Sequence, residues 1–377
     1  MKNSRTWLVF FSIFLFTLIL AACGSETNTT TSNSETNTND EVTPAENGEK
    51  ETITLRIGAG APIESSIWLQ PIRDYFMKEV NESLENYEID WVENWGTITD
   101  MPGELETIEA GLLDVGFSTA AFQPTHLKMS SMGFNTPFSS SDPEIIAEVA
   151  IQMEETFEEF AGEYDKVNAK LLGLAVSENY VLTTTFPVNS LEDLQGKRIA
   201  GASANQKWLQ ASGAVPVQSA LTEAYQSLQS GVYEGWVIFP SSLIGFKMYE
   251  QAKYITNVPF GSMILGGLVV NNDVWAGLPE EVQTVFEEVG KQYTYEIAKY
   301  SKESTIADFK EMEEAGVTIT TLSPEDEAEW ASRLEFMPIE YAEELNSSGL
   351  PGTEIMQSYI QFQKDAGHEF PSPYEIQ

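Results

Sequence analysis

Cysteine, histidine and basic residues are the scarce components of this sequence. Cys23 is the sole cysteine, so an intramolecular disulfide is excluded. His126 and His368 are the only histidines. Histidine is the commonest general base and metal ligand near neutral pH. Neither copy sits in a motif of nucleophile or metal spacing, so no catalytic residue and no metal site is assigned. No G-x-x-x-x-G-K-[ST] occurs, which removes the phosphate-loop nucleotide hydrolases. The segment "GAGAPI" (58–63) carries G-x-G without a third glycine or an acidic ribose partner, so no cofactor is expected. Against 58 acidic residues stand 20 Lys and Arg, a net charge of −38 at pH 7. A surface of that sign repels nucleic acid and anionic headgroups, so neither is expected as a partner. The acids are spread along helical segments, Glu154-Glu155 and Glu313-Glu314 among them, as suits solvated faces that keep a chain dispersed in salt or alkali.

At the N-terminus Lys2 and Arg5 precede an apolar run from Trp7 to Leu20, interrupted by Ser12 and Thr17. That run falls short of the roughly 20 residues a spanning helix needs. A positive start, an apolar stretch and small residues describe an export signal over 1–22. Leu20-Ala21-Ala22-Cys23 resembles the bacterial lipobox, which implies cleavage before Cys23, lipidation of its thiol and anchoring to the outer face of the cell membrane. More than one acyl chain gives stable anchoring. Without Lys2 and Arg5 the chain keeps 18 basic against 58 acidic residues, a net charge of −40. Residues 23–50 are almost free of apolar side chains and read as a disordered, solvated tether. The remaining residues, about 325, are enough for two domains.

Beyond the tether, strand and helix patterns alternate. "TITLRIGAG" (52–60) opens as a strand, Ile67, Trp68, Ile72, Phe76 and Val80 follow at helical spacing, and "YEIDWVEN" (87–94) returns to strand. A second alternation begins near Tyr180 and includes "GKRIAG", "AVPVQ" and "EGWVIF"; "MILGGLVVNND" (263–273) is a late apolar strand, after which the chain is nearly all helix. Such alternation predicts parallel sheets of the α/β class. "EAGLLDVGF" (109–117) and "QSGVYEGWV" (229–237) echo one another as helix, glycine and strand, each glycine suited to a helix C-terminus. Ligands of open α/β sheets bind outside the carboxyl ends of strands. Trp95, Phe122, Tyr180, Trp236 and Phe239 fall at such ends and can line a pocket; Trp68 and Asn205 join them as candidate ligand residues.

The stretch "SLEDLQGKRIAGASANQKWLQASGAVPVQSALTEAYQSLQSGVYEG" (190–235) closely resembles the DctP-type solute receptors of tripartite ATP-independent periplasmic (TRAP) transporters. "GELETIEAGLLDVGF", "MGFNTPF" and "LVVNNDVWAGLPEEVQ" are similar to that family as well. The resemblance implies a two-lobed periplasmic-binding-protein fold of α/β class, with hinge strands and a long helix spanning both lobes. Lobe I is expected over 51–176 plus 263–300, and lobe II over 177–262 plus 301–377. It also implies a small-molecule ligand in the cleft and two TRAP membrane subunits, small and large, as partners. The family usually reads Gly-x-Lys-Ile-Arg, its arginine forking onto the ligand's carboxylate. Aligned from Gly196, that arginine falls on Ala200, and a second family arginine falls near Tyr180. Either Arg198, on the same strand face as Ala200, or backbone N–H groups near Ser203 hold a carboxylate, or the ligand is neutral, aromatic or cationic and the tryptophans carry it. The expectation is a non-enzymatic receptor for an organic acid with an apolar or aromatic body. The alternatives are a receptor of another importer class with the same fold, and a surface α/β enzyme dependent on His126.

Overall fold

In a computed structural model, residues 50–376 are described; the export signal, Cys23 and nearly all of the tether lie outside them. Two sheets form the frame. The first has the order β2-β1-β3-β10-β4, from β1 (Glu51–Ala59), β2 (Tyr87–Trp95), β3 (Val115–Thr119), β4 (Ala169–Val176) and β10 (Ile264–Asn271). The second has the order β11-β9-β5-β8-β6-β7, from β5 (Val181–Thr184), β6 (Arg198–Gly201), β7 (Val215–Gln218), β8 (Gly235–Ile238), β9 (Tyr254–Asn257) and β11 (Thr318–Thr321). The interior strands β3, β5, β8 and β10 are buried along their whole length, which explains their near-continuous apolar runs.

The expectation of parallel sheets needs correction, because each sheet is mixed. β10 runs antiparallel to β3 and β4, and β5 runs antiparallel to β8 and β9. The cause is the chain crossing between sheets at 177–180 and again at 258–263. A strand that arrives from the other sheet enters at the carboxyl ends of its new neighbours and must run against them. The two crossings bond to each other: Ser177 N–H donates to Met263 O at 2.9 Å and Tyr180 N–H to Gly261 O at 3.1 Å. Asn179 ties them further, donating from Nδ2 to Val258 O and accepting from Gly261 N–H.

A helix of 35 residues, Glu280–Glu314, spans both sheets. Thr294 Oγ1 accepts from Leu174 N–H, Ser301 Oγ donates to Val176 O, and Ser304 Oγ donates to Glu178 Oε1. The helix thus follows β4 into the crossing, then leads to β11 of the second sheet. The later helices Phe336–Ser347 and Gly352–Asp365 pack back toward the segment before β4: Tyr341 Oη donates to Lys128 O and Ser140 N–H to Gln363 Oε1.

The short internal echo has a structural counterpart. Gly111 and Gly231 both take positive φ, 65° and 71°, where glycine lacks the Cβ penalty. In each case the next residue's N–H closes the helix end, Leu112 onto Thr107 O at 3.0 Å and Val232 onto Ser227 O at 2.9 Å. An arginine then grips each turn from the neighbouring strand. Arg56 Nη2 donates to Gly111 O, and Arg198 Nη2 to Gly231 O, both at 2.8 Å. An acid follows each turn, Asp114 and Glu234, and accepts from the backbone N–H of the same arginine.

Candidate ligand-binding site

The carboxyl ends of the two sheets face each other across a small cavity. From the first sheet's side come Trp68, Met101, Thr119, Ala121, Phe122 and, at the start of β10, Leu265; Tyr180 comes from a crossing segment. From the second come Ala202, Asn205, Leu221, Trp236, Ile238 and Phe239. The cavity measures about 30 Å³, room for a water or two, so an organic solute requires the walls to part. A hollow of about 590 Å³ lies elsewhere, beside the C-terminal helix between Gln357 and Ile376, but it gathers no unpartnered buried donor.

The walls meet through aromatic rings. Trp68 packs edge-on to Phe239 at 5.4 Å and stacks on Phe246 at 6.2 Å, joining one side of the cleft to the other. Tyr180 packs edge-on to Phe239 at 5.4 Å and Trp236 to Tyr233 at 5.5 Å. Such pairs add to the burial of the rings. One hydrogen bond and one close backbone approach also cross the cleft. Ser203 Oγ donates to Ala121 O at 2.9 Å, and Gly245 lies so near Ser65 that a Cβ there would overlap the Ser65 carbonyl.

Among the described residues, no lysine, arginine or histidine lines the cavity. Its polar groups are uncharged: burial pushes the Tyr180 phenol far up, with Glu178 as a lesser cause, so it stays a neutral hydroxyl. Asn205 Nδ2 and Trp236 Nε1 are buried donors with no partner among the described residues. Two buried carboxyls brace the walls. Glu104 accepts from Gly60 N–H at 2.8 Å and Thr119 N–H at 2.6 Å. Glu178 accepts from Ser241 N–H, Ser241 Oγ and Ser304 Oγ. Burial pushes each up to about 8, against the backbone and hydroxyl donors that favour the charged form.

Of the nine residues singled out in the sequence, Trp68, Phe122, Tyr180, Asn205, Trp236 and Phe239 line the cavity. Trp95 does not; it is half-buried at the end of β2, its indole N–H donating to Glu93. Arg198 lies exposed at the opposite end of β6, engaged with the Gly231 turn. Ala200 is fully buried in mid-strand, in register with Trp236 on β8 and Val217 on β7. Met101, Thr119, Ala121, Ala202, Leu221, Ile238 and Leu265 escaped sequence reasoning, since an apolar residue facing a cleft has the same pattern as one facing a core. Thr119 ends the buried strand β3 and Ala121 lies two residues beyond it, the one signal that pointed their way. His126 lies in an exposed loop, and His368 meets Phe138 O through Nε2. Neither histidine lines the cavity, and no cluster of three or more metal-ligating residues occurs among the described residues.

Residues 62–344 match the family model DctP, described as bacterial extracellular solute-binding protein, family 7. The C4-dicarboxylate-binding periplasmic protein DctP of Rhodobacter capsulatus is 30% identical over 254 residues, 65% of this chain and 73% of that protein. Among solved structures, a TRAP solute-binding protein of Rhodoferax ferrireducens with copurified benzoate superposes with a TM-score of 0.73 at 17% identity, covering 83% of this chain and 98% of that one. A TRAP periplasmic solute-binding protein of Bordetella bronchiseptica with bound mandelate gives 0.72 at 20% identity, over 83% and 99%. Family match, relative and architecture agree: this chain belongs to the DctP family of bacterial extracellular solute-binding proteins.

Proposed function

We propose that this protein is the extracytoplasmic receptor of a TRAP-type secondary transporter, anchored through lipid on Cys23, for a small organic acid with an apolar or aromatic body. The inter-sheet cavity carries this reading: a set of aromatic and aliphatic walls drawn from both sides, with few polar groups and no cation. A solute lodged there touches both sheets, and only contacts made on both sides favour the closed arrangement over an open one. The closed form is then what the small and large membrane subunits receive. The relatives that carry benzoate and mandelate in their structures support an aromatic acid. Ala200, standing where the family's arginine is expected, counts against aliphatic dicarboxylates, which depend on a charged contact worth roughly 1.5–3 kcal/mol. No turnover is expected, since neither histidine reaches the cavity.

A thermal-shift screen of aromatic acids, amino-acid derivatives, osmolytes, sugars and aliphatic dicarboxylates tests the reading. A ligand at 100 times its Kd stabilises by about 2.7 kcal/mol, a clear rise in Tm. Aromatic or otherwise apolar acids are expected to give it; a shift confined to succinate, malate and fumarate would contradict the apolar-body assignment.

A further inference from the structure

Eight buried side-chain atoms lack a hydrogen-bond partner among the described residues, and two of them, Asn205 Nδ2 and Trp236 Nε1, belong to side chains that line the inter-sheet cavity. Both side chains are 1% exposed. Buried donors are normally paired, because an unmet one forfeits its hydration without return. Two unmet donors in one cavity are groups open to a ligand's acceptors.

Resting on the receptor reading above, we propose that the solute's carboxylate oxygens are met by the uncharged N–H donors of Asn205 and Trp236, in place of a cation. Three observations carry this. The residues lining the cavity include no lysine, arginine or histidine. Ala200 and Trp236 are register partners on adjacent parallel strands, so their side chains share a sheet face. The indole thus stands beside the position where the family's guanidinium is expected, and a methyl group at 200 leaves it room. Both unmet groups are donors, and an ionised carboxylate is acceptor-only. It satisfies them without bringing an N–H or O–H of its own into an apolar cavity, as an amide or alcohol would.

The receptor is therefore selective for acceptor-only head groups through neutral donors. Calorimetric titration of the full extracytoplasmic chain with benzoate and with benzamide, its uncharged counterpart, tests this. The wild type is expected to prefer benzoate. Trp236→Phe keeps a ring and removes the N–H, Asn205→Ala removes the amide, and each is expected to weaken benzoate roughly tenfold or more and to weaken benzamide, which has one neutral acceptor oxygen, by less. Phe239→Leu serves as the packing control and is expected to weaken both probes alike. A preference for benzoate that survives both donor substitutions, or equal binding of the two probes by the wild type, overturns the inference alone. A wild type that binds succinate but neither benzoate nor mandelate overturns the apolar-body reading and this inference with it.

Discussion

Arg198 looks like an anion ligand in the sequence and is a brace in the fold. Its guanidinium holds the carbonyl of Gly231, as Arg56 holds that of Gly111, so the charge serves a helix end and points away from the cleft. Arg198→Ala is expected to lower stability by about 1 kcal/mol in urea unfolding, with unchanged ligand affinity; a lost affinity at full stability would contradict the brace. Ala200 has the converse character. It is fully buried beside Trp236, so Ala200→Arg places an unpaired charge against an indole. A loss of about 3–5 kcal/mol is expected, relieved in part by Trp236→Ala in the double variant. An Ala200→Arg protein as stable as the wild type would show that the position opens to solvent. Phe122, Tyr180, Trp236 and Phe239 could be placed at the cavity from sequence because strand ends announce themselves through glycine and polar residues after an apolar run, a signal that misplaced Trp95. The end of the strand was not legible: Arg198 and Ala200 share a face, yet two residues of rise separate a surface clamp from a fully buried mid-strand position.

Among elements, the alternation of strand and helix was readable from periodicity, and so were the glycine-ended helices before β3 and β8. Strand direction was not. β5 and β10 have the composition of parallel strands, both being buried throughout, and only the long-range crossings at 177–180 and 258–263 reverse them. The helix Pro240–Gly245 makes a close backbone contact across the cleft, through Gly245 against Ser65. A valine at 245 cannot be seated there without backbone movement. Gly245→Val is expected to leave far-UV circular dichroism unchanged and to weaken ligand binding about tenfold or more. It should also abolish the ligand-dependent contraction in small-angle scattering that the wild type is expected to show. Normal contraction in the variant would place closure elsewhere.

For the whole molecule, the buried acids set the pH response. Burial raises Glu104, Glu163 and Glu178 to about 8 and Asp308 to about 6. A carboxyl whose folded-state value exceeds its unfolded one supports folding fully below the unfolded value, and that support fades as pH rises to the folded value. Urea midpoints are therefore expected to fall from about pH 5 to pH 8 and level off above, whereas stability that climbs over this span would contradict buried neutral carboxyls. The net charge of −38 was plain in the sequence, but the seclusion of four acids from so acidic a surface required the fold.

The inter-sheet cavity is expected to capture an apolar organic acid and to return it unaltered. Isothermal titration of the wild type and of a Trp68→Ala/Phe239→Ala variant with the acid found by screening, followed by NMR of the recovered ligand, tests it most directly. One site per chain, a negative heat-capacity change from apolar burial, loss of binding in the variant and an unchanged ligand are expected. Undiminished binding by the variant, or a chemically altered ligand, would contradict the claim.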